Sequence, residues 1–223
     1  LEVVETWLDP EKVTPVIACG MVGARQGWVE ADYATTPTAP IAARPTRAPV
    51  TDRRIDVFIL PGVSQSSPPD VMRGEETQIA GYIAAHHGSS IICLPGTHSK
   101  WVEIADVRIA RFRTAMTGEV FALLAEKSVL RHSVSTGGWS DDGFAAGVTV
   151  GLGEPDILTQ LFSIRAASLL EGASAQMSRS RLSGLLIGAE LAGTRDYWRG
   201  TTVALIGASA LSTLYQTALE LAG

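Results

Sequence analysis

The sequence predicts an α/β fold whose sheets combine parallel and antiparallel strands. Short apolar runs bounded by glycine and proline indicate buried strands in both halves of the chain. In the second half, three such strands are followed directly by residues with helical spacing, and a strand–helix unit closes the sequence. Adjacent strands followed by strand–helix units are typical of an α/β domain with a mixed sheet. The first half has the layout of the later strand–helix units of a similar domain.

The first half begins with an apolar run that ends at Gly20, and a second run ends at Pro61-Gly62. Glycine and proline interrupt regular structure, so both runs are expected to be buried strands. The proline-rich stretch between them lacks periodicity and is interpreted as an extended surface connection with an edge strand. The expected elements are strands at 13–19 and 55–60, that connection at 34–51, a loop at 64–70 and a helix at 71–87.

The second half changes from an alternating to a helical period near residue 117. Gly184 and Gly188 lie four residues apart in a helical pattern, which would let another element approach that helix closely. The expected elements are a three-stranded meander at 91–116, helices at 117–130 and 181–193, a loop at 132–143, helical residues at 144–170, a strand at 201–207 and a helix at 208–222.

The composition argues against two classes of partner. The net charge is −5 and the basic residues form no stripe, so nucleic acid is not expected as a partner. No apolar run approaches the roughly 18–20 residues that a membrane-spanning helix needs. Cys19 and Cys93 each end or interrupt an apolar run, so both are expected to be buried free thiols, as in proteins of the reducing cytoplasm. His86, His87 and His132 show no metal-ligand spacing.

Residues 96–100 place a glycine, two hydroxyls, an imidazole and an ammonium at the expected tip of a hairpin. Glycine lets a phosphate approach backbone N–H groups, and the hydroxyls and Lys100 supply further donors and positive charge. Neither a Walker loop nor a Rossmann glycine pattern occurs in the sequence. A phosphate-binding hairpin and an ordinary polar turn both remain open on these residues alone.

Five segments, in chain order GMVGARQGW, VMRGEETQ, LPGTHSKW, FRTAMTGEVFALL and LSGLLIGAEL, together carry a specific resemblance. The chain resembles the 2-dehydro-3-deoxygalactonokinase family, the kinases of bacterial D-galactonate breakdown, from about Val16 to the C-terminus. The resemblance implies the fold of the actin/hexokinase/sugar-kinase superfamily, with two ribonuclease-H-like domains around a nucleotide cleft.

In that scheme, residues 1–88 are the remainder of the first ribonuclease-H-like domain, on the substrate side. Residues 89–223 are the second domain, with the phosphate hairpin and the adenosine segment. The superfamily's first phosphate hairpin, an Asp-x-Gly-[Thr/Ser] strand, does not occur near residue 1. The first domain is therefore expected to be truncated at its N-terminus here, with that strand and a C-terminal tail lying outside this sequence.

The resemblance also implies ATP and Mg²⁺ as ligands of the second half. Glu119, at a strand-to-helix junction, is expected to hold Mg²⁺ through water, with helix capping as the alternative. The residues expected to bind the nucleotide are Gly96, Thr97, His98, Ser99, Lys100, Gly207, Ala208 and Ser209.

Glu75 and Glu76 are the candidate catalytic residues, because carboxylates in the first turn of a helix stay ionised and can accept a proton from a hydroxyl. Spacing does not decide between them, Asp70 is a third candidate, and simple helix capping is the alternative. A polyhydroxy acid needs Arg and amide donors and an aromatic surface for its carbon chain. The expected substrate-binding residues are Arg25, Gln26, Trp28 and Arg73, while Trp139 and Trp198 are assigned to packing.

The function implied by the resemblance is transfer of the γ-phosphoryl group of ATP to the C6 hydroxyl of 2-dehydro-3-deoxy-D-galactonate. The alternatives are a kinase for another 2-keto-3-deoxy sugar acid and a non-catalytic nucleotide-binding module of the same fold. The expected partners are therefore the sugar acid and ATP in the cytoplasm, without nucleic acid or membrane, and a homodimer remains open.

Overall fold

The protein has a mixed α/β fold in which three sheets are accompanied by helices. The computed structural model describes residues 4–42, 44–86, 88, 90–134, 137–153 and 156–223. Within these ranges the strands are β1 (Thr14–Ala18), β2 (Tyr33–Thr35), β3 (Thr46–Arg47), β4 (Ile55–Ile59), β5 (Gly62–Ser66), β6 (Pro69–Met72), β7 (Ser90–Leu94), β8 (Ser99–Ala105), β9 (Arg108–Ala115) and β10 (Val203–Leu205).

Most of the helical residues lie in the second half of the chain. The α-helices in the described ranges are α1 (Glu75–Ala85), α2 (Thr117–Lys127), α3 (Asp141–Gly153), α4 (Ile157–Leu170), α5 (Ala175–Gly193), α6 (Arg195–Trp198) and α7 (Ser209–Ala222). Short 3₁₀ turns occupy Glu5–Trp7, Gly20–Gly23 and Val129–His132.

The chain divides into two compact units. The first comprises Leu1–Ser89 with Glu103–Phe112, and the second comprises Ser90–Val102 with Arg113–Gly223. The outer end of the β8–β9 hairpin thus belongs to the first unit. The mixed α/β class is confirmed, whereas the ribonuclease-H-like domains at 1–88 and 89–223 stay a prediction.

The first unit contains two three-stranded sheets, ordered β1-β4-β3 and β2-β5-β6. β1 and β4 run parallel with Ala18 opposite Ile59, so the loops that follow both strands begin at the same edge. One face of β1 is exposed, and Ile17 keeps 61% of its surface accessible. The expectation of a fully buried strand was therefore wrong, and so was burial of Cys19, which is an exposed free thiol. Cys93 is buried and free as expected.

The segment at 64–70 was expected to be a loop, but it contributes to the β5–β6 hairpin. Its polar composition suggested solvent, yet the Gln65 side chain is buried. The Gln65 carboxamide accepts the Phe112 N–H at 2.9 Å and donates to the Phe112 carbonyl at 3.1 Å. Both amide groups are thereby satisfied, which is what burial of a glutamine requires. Helix α1 consequently begins at Glu75, after the hairpin, and not at residue 71.

The second unit is built on the sheet β10-β7-β8-β9, in which β10 and β7 are parallel. The expected meander at 91–116 is confirmed as β7, β8 and β9. Its core joins the sheet to three helices through Cys93, Trp101, Phe144, Leu191 and Tyr215. The sheet edge and the helices that follow it therefore move little relative to each other.

Helices α3 and α5 meet through glycines on both sides of their contact. A Cβ added at any of these positions would overlap backbone atoms of the opposite helix. At Gly184, for example, it would overlap the Phe144 carbonyl and lie 2.9 Å from the Val148 nitrogen. The glycines of this contact are Gly143, Gly147 and Gly151 on α3 and Gly184 and Gly188 on α5. The predicted close approach at Gly184 and Gly188 is confirmed.

Candidate functional site

The ends of β7 and β10 bring two glycine-containing segments, one with Gly96 and one with Gly207, to the same end of the sheet in the second unit. Because these strands are parallel neighbours, the segments that follow them start side by side. The Ile206 N–H donates to the Cys93 carbonyl at 3.0 Å, which extends the pairing past the strand end. A Cβ at Gly207 would lie 3.2 Å from the Pro95 carbonyl oxygen. The hairpin segment and the start of α7, both predicted to bind nucleotide, therefore lie together.

Residues 95–98 connect β7 to β8 and form the expected hairpin tip. Thr97 and His98 are exposed, whereas Ser99 and Lys100 are already part of β8 and are buried. The Lys100 ammonium donates to the His98 carbonyl at 3.5 Å. Buried lysines require compensation for their charge. The prediction that residues 96–100 form the tip was therefore wrong for Ser99 and Lys100, which lie in β8, whereas Thr97 and His98 are exposed at the tip and Gly96 is half-buried.

The first turn of α2 packs directly against this connection. The Glu119 N–H donates to the Thr97 carbonyl at 3.0 Å, and His98 Nε2 lies 2.5 Å from Glu119 Oε2. A Cβ at Gly118 would overlap the Gly96 carbonyl oxygen and lie 2.8 Å from Thr97 Cα. Glycine at 118 is therefore required for the helix to approach the hairpin tip.

The resemblance implies that the hairpin tip binds ATP. On that expectation, an alanine at position 118 lowers kcat/KM for ATP about 30-fold, because the hairpin or the helix must shift by a large part of an ångström. The measurement is steady-state kinetics with ATP varied and the implied sugar-acid substrate at saturation. Gly153→Ala is the matched control, since a Cβ there meets no atom of the described residues within 4 Å. Equal kinetics for the Gly118→Ala and Gly153→Ala variants would contradict this expectation.

A cavity of about 200 Å³ opens beside the hairpin tip within the second unit. Its walls are mostly apolar, and the Arg179 guanidinium lies 4.9 Å from the centre of the Phe121 ring. The lining residues are Gly96, Thr117, Gly118, Phe121, Trp139, Arg179, Ser183, Leu186, Ile187, Leu211, Leu214 and Tyr215. An apolar pocket with a few convergent polar groups is the usual form of a small-molecule site.

A buried carboxylate, Glu190 of α5, lies behind the cavity. Its Oε1 accepts the Trp101 indole N–H at 2.7 Å, and its Oε2 accepts the hydroxyl protons of Thr117 and, at 2.7 Å, of Tyr215. Tyr215 is in turn 2.7 Å from the hydroxyl of Ser99. Burial raises the pKa of Glu190, and the hydrogen bonds that it accepts oppose that shift.

Sequence reasoning did not identify Glu190, Tyr215 or Trp139 as site residues. Trp139 lines the cavity and also packs against Phe144, with 5.3 Å between the ring centres, and Trp198 is buried, so both have the packing role expected of them. The available signal was a single acidic residue inside the otherwise apolar run LLIGAELAG. A lone charge among apolar residues of a helix indicates a buried hydrogen-bonding role.

In the first unit, the loop after β1 carries the predicted substrate-binding residues. The loop folds back on itself, since Trp28 N–H donates to the Val22 carbonyl at 2.9 Å and Ala31 N–H to the Gly23 carbonyl at 3.0 Å. Arg25, Gln26 and Trp28 are all exposed, so their side chains are accessible to a ligand. Their roles stay a prediction.

Arg73, which follows β6, contacts the end of this loop. Its Nη2 donates to the Ala31 carbonyl at 2.6 Å, and its guanidinium lies 4.1 Å from the centre of the Tyr33 ring. Nη1 is buried without a hydrogen-bond partner among the described residues, 3.0 Å from where a Cβ of Gly23 would be. These contacts connect Arg73 to the backbone and to Tyr33 at the end of the loop, and we infer that they order the loop. The pairing of Arg73 with a substrate carboxylate stays a prediction.

Glu75 and Glu76 both accept hydrogen bonds from the backbone just before α1. Glu75 Oε2 accepts the Arg73 N–H at 3.0 Å, and Glu76 Oε2 accepts the Gly74 N–H at 2.6 Å. Glu76 is completely buried, whereas Glu75 is half-buried. Burial raises the pKa of Glu76. The two carboxylates therefore differ in access to a ligand, although they are adjacent in sequence.

Glu76→Gln is expected to gain stability relative to the wild type as the pH rises above about 4.5, the ordinary pKa of glutamate. A pKa raised by folding favours the protonated carboxyl, so that contribution is present at low pH and is lost as the pH rises through the folded-state pKa. Urea unfolding of both proteins between pH 4 and pH 7 measures the difference. A constant difference across this range would contradict the expected shift.

The donor set suits a hydrated magnesium ion better than a metal cage made of protein ligands. In the described part of the chain, no group of three or more His, Cys, Asp or Glu side chains could hold a metal ion. Mg²⁺ with nucleotides takes one or two carboxylates together with phosphates and waters. Glu119 beside the hairpin tip fits that demand.

None of the described helices has the length and apolar character needed to cross a membrane.

An α/β unit with glycine-containing strand ends, hydroxyls and a lysine beside an apolar cavity has the features that nucleotide-dependent phosphotransferases use to bind phosphate. A family model described as "DGOK: 2-keto-3-deoxy-galactonokinase" matches residues 1–223. The chain belongs to the 2-keto-3-deoxy-galactonokinase family. The resemblance inferred from the five segments is confirmed, and the chain is a kinase of the sugar-acid class.

The proteins similar to the chain include two curated relatives and a solved structure. A Rhizobium meliloti (strain 1021) protein named "Probable 2-dehydro-3-deoxygalactonokinase DgoK1" is 48% identical, and the alignment covers 94% of this chain and 71% of that protein. The 2-dehydro-3-deoxygalactonokinase of Escherichia coli (strain K12) is 39% identical over 100% of this chain and 75% of its own length. A crystal structure of a "putative 2-dehydro-3-deoxygalactonokinase protein" from Sinorhizobium meliloti has a TM-score of 0.90 at 44% identity, covering 100% of this chain and 76% of that one.

Proposed function

We propose that the protein transfers the γ-phosphoryl group of ATP to the C6 hydroxyl of 2-dehydro-3-deoxy-D-galactonate in D-galactonate catabolism. The observation that carries this proposal is the hairpin tip at 95–98, clamped by the first turn of α2 beside an apolar cavity. In the reaction, the C6 oxygen forms a bond to the γ-phosphorus and the bond from that phosphorus to the β–γ bridging oxygen breaks. The hydroxyl proton passes to a base of the protein, and ADP leaves.

The second unit binds ATP in this proposal. Gly96 has no side chain and lets the phosphates approach its backbone, Gly118 lets α2 lie against the hairpin tip, and Lys100 contributes positive charge behind them. The apolar walls of the cavity accommodate the adenosine, with Arg179 and Phe121 at one side. Glu119 would hold the Mg²⁺, which supplies neutralisation of phosphate charge when it is bound.

The first unit binds the sugar acid. Arg25 and Gln26 donate to its carboxylate and hydroxyls, and the exposed Trp28 ring packs against its carbon chain. We assign the base to Glu75, because a proton acceptor must reach the substrate hydroxyl and Glu76 is completely buried. Glu76 and Arg73 then order the loop and the start of α1. A homodimer stays a prediction.

The experiment that tests this function is acceptor-dependent release of ADP by the complete protein. ADP is measured with Mg²⁺ and ATP in the presence of 2-dehydro-3-deoxygalactonate, of the gluconate epimer, or of no acceptor. Release that requires an acceptor and favours the galactonate form is the expected result. Release that favours the epimer would move the assignment to another 2-keto-3-deoxy acid, and ATP binding without any release would indicate a non-catalytic module.

A further inference from the structure

Glu190 is a charged residue at 7% exposure in the middle of α5, and hydrogen bonds link it to three other elements of the second unit. We propose that Glu190 is a positioning residue for nucleotide binding, whose carboxylate sets the hydrogen-bond direction of the groups that hold the hairpin tip and the first residue of α2. The identity of the nucleotide as ATP rests on the proposed function; the positioning role rests on the contacts of this carboxylate.

The carboxylate accepts at both oxygens. Trp101 of β8 can only donate, and it uses Oε1 at 2.7 Å. Thr117, the first residue of α2, and Tyr215 of α7 both donate to Oε2. Three segments that line or flank the cavity thereby donate to one carboxyl group.

Counting protons fixes the direction of the next bond. Tyr215 has one hydroxyl proton, and it donates that proton to Glu190. The Ser99 proton is then the one left for the 2.7 Å contact between Ser99 and Tyr215, and the Glu190 carboxylate is its other acceptor. The Ser99 oxygen is then left as an acceptor for the Gly96 N–H, 3.5 Å away. A directed chain of hydrogen bonds runs from the hairpin tip to Glu190.

The same count gives Thr117 a defined polarity. Its hydroxyl proton is committed to Glu190, so the Thr117 oxygen can only accept on the side that lines the cavity. Phosphate oxygens are acceptors too and would find no donor there. The Thr117 hydroxyl therefore selects a donor group of the bound nucleotide or its hydration shell, while backbone N–H groups remain for the phosphates.

Packing alone does not require a carboxylate at this position. The surroundings are apolar, and an uncharged side chain of similar volume would avoid the cost of desolvating a charge. Every group that donates to Glu190 belongs to an element that borders the hairpin tip or the cavity. We therefore attribute the presence of a carboxyl group at position 190 to its role as the common acceptor of those donors.

Glu190→Gln is the direct test, because it keeps the side-chain volume and removes both the charge and the acceptor-only character of the carboxylate. The amide NH₂ must face either Trp101, which cannot accept, or Thr117 and Tyr215, which must reverse their protons. The Kd for ATP with Mg²⁺ is measured by calorimetry on the complete protein, without sugar acid. We expect the Kd to rise about tenfold, since hydrogen bonds to a charged group are among the stronger ones. In turnover assays, KM for ATP rises similarly and KM for the sugar acid is unchanged.

Ser178→Ala is the matched control on the same helix. Ser178 is buried and its hydroxyl has no hydrogen-bond partner among the described residues, so the Kd for ATP should not change. A Glu190→Gln protein that is folded and binds ATP within twofold of the wild type would overturn the positioning role. A folded wild type that binds no ATP would overturn the proposed function and this inference together.

Tyr215→Phe covers the case in which Glu190→Gln does not fold. It retains the ring in the core and removes the link between Ser99 and Glu190. The expected result is an ATP Kd raised about fivefold with an unchanged melting temperature within a few degrees. An unchanged Kd would count against the proposal in the same way, whereas a lower melting temperature with an unchanged Kd would show that Glu190 acts on stability alone.

Discussion

Replacing Glu75 with glutamine is expected to lower kcat for phosphoryl transfer about 1,000-fold, with KM for the sugar acid changed less than about threefold. A positioned general base contributes about 10²–10⁴ in rate, and glutamine cannot accept the hydroxyl proton. Glutamine does keep the acceptor oxygen for the Arg73 N–H, so the start of α1 is retained. Steady-state ADP release with saturating ATP measures the effect.

Glu76→Gln is the matched control for this substitution. The residue is adjacent and receives the same chemical change, but its side chain is completely buried against Gly74 and Thr77. Its kcat should stay within about tenfold of the wild type. If the two variants exchange these results, the base is Glu76. If both retain activity, neither carboxylate takes the proton and Asp70 becomes the candidate to test.

The second large effect is on stability. Gly184→Ala is expected to lower the free energy of unfolding by about 3 kcal/mol, since the added methyl group meets backbone atoms that have no rotamer to change. The Cβ would overlap the Phe144 carbonyl oxygen and lie 3.0 Å from the Phe144 carbonyl carbon. Helices α3 and α5 would have to separate along their contact. Thermal unfolding followed by circular dichroism should show a Tm lower by about 6–12 °C.

Gly193→Ala is the control on the same helix. It is the last residue of α5, and a Cβ there meets no atom within 4 Å. The change should leave the stability equal or raise it by up to about 1 kcal/mol, because alanine favours helix more than glycine does. A Tm for Gly184→Ala equal to that of Gly193→Ala would show that the helix contact adapts without cost.

The sequence was a good guide where periodicity and glycine spacing had a single physical meaning. The β7–β9 meander follows from apolar alternation between tight connections, and α7 follows from its apolar stripe. The close approach at Gly184 and Gly188 follows from two missing side chains on one face. Each of these is a local pattern that tertiary contacts reinforce.

The β5–β6 hairpin could not be predicted in the same way. Its serines, prolines and Gln65 have the composition of a loop, and the strand is stabilised by a contact 47 residues away at Phe112. The prediction that Cys19 is buried was wrong because an apolar run does not reveal which face of a strand is covered. Sequence-local rules have no access to such distant partners.

The candidate site shows the same division. The hairpin tip was visible as an unusual cluster of residue types in one short segment. Thr117 and Tyr215 are 98 residues apart in the sequence, yet both donate a hydrogen bond to Oε2 of Glu190. Resemblance to a family identifies the segments of a site, but it does not show that the hydroxyls of Thr117 and Tyr215 donate to the same carboxyl group.

The glycines between α3 and α5 have a consequence for the evolution of ligand choice. Backbone packs against backbone at this contact, so α5 cannot move closer to α3 without overlap of main-chain atoms. The opposite side of α5 carries Arg179, Ser183 and Ile187 into the cavity. The width of the cavity therefore depends on glycines that do not line it. It can change only if those glycines or the lining residues are substituted.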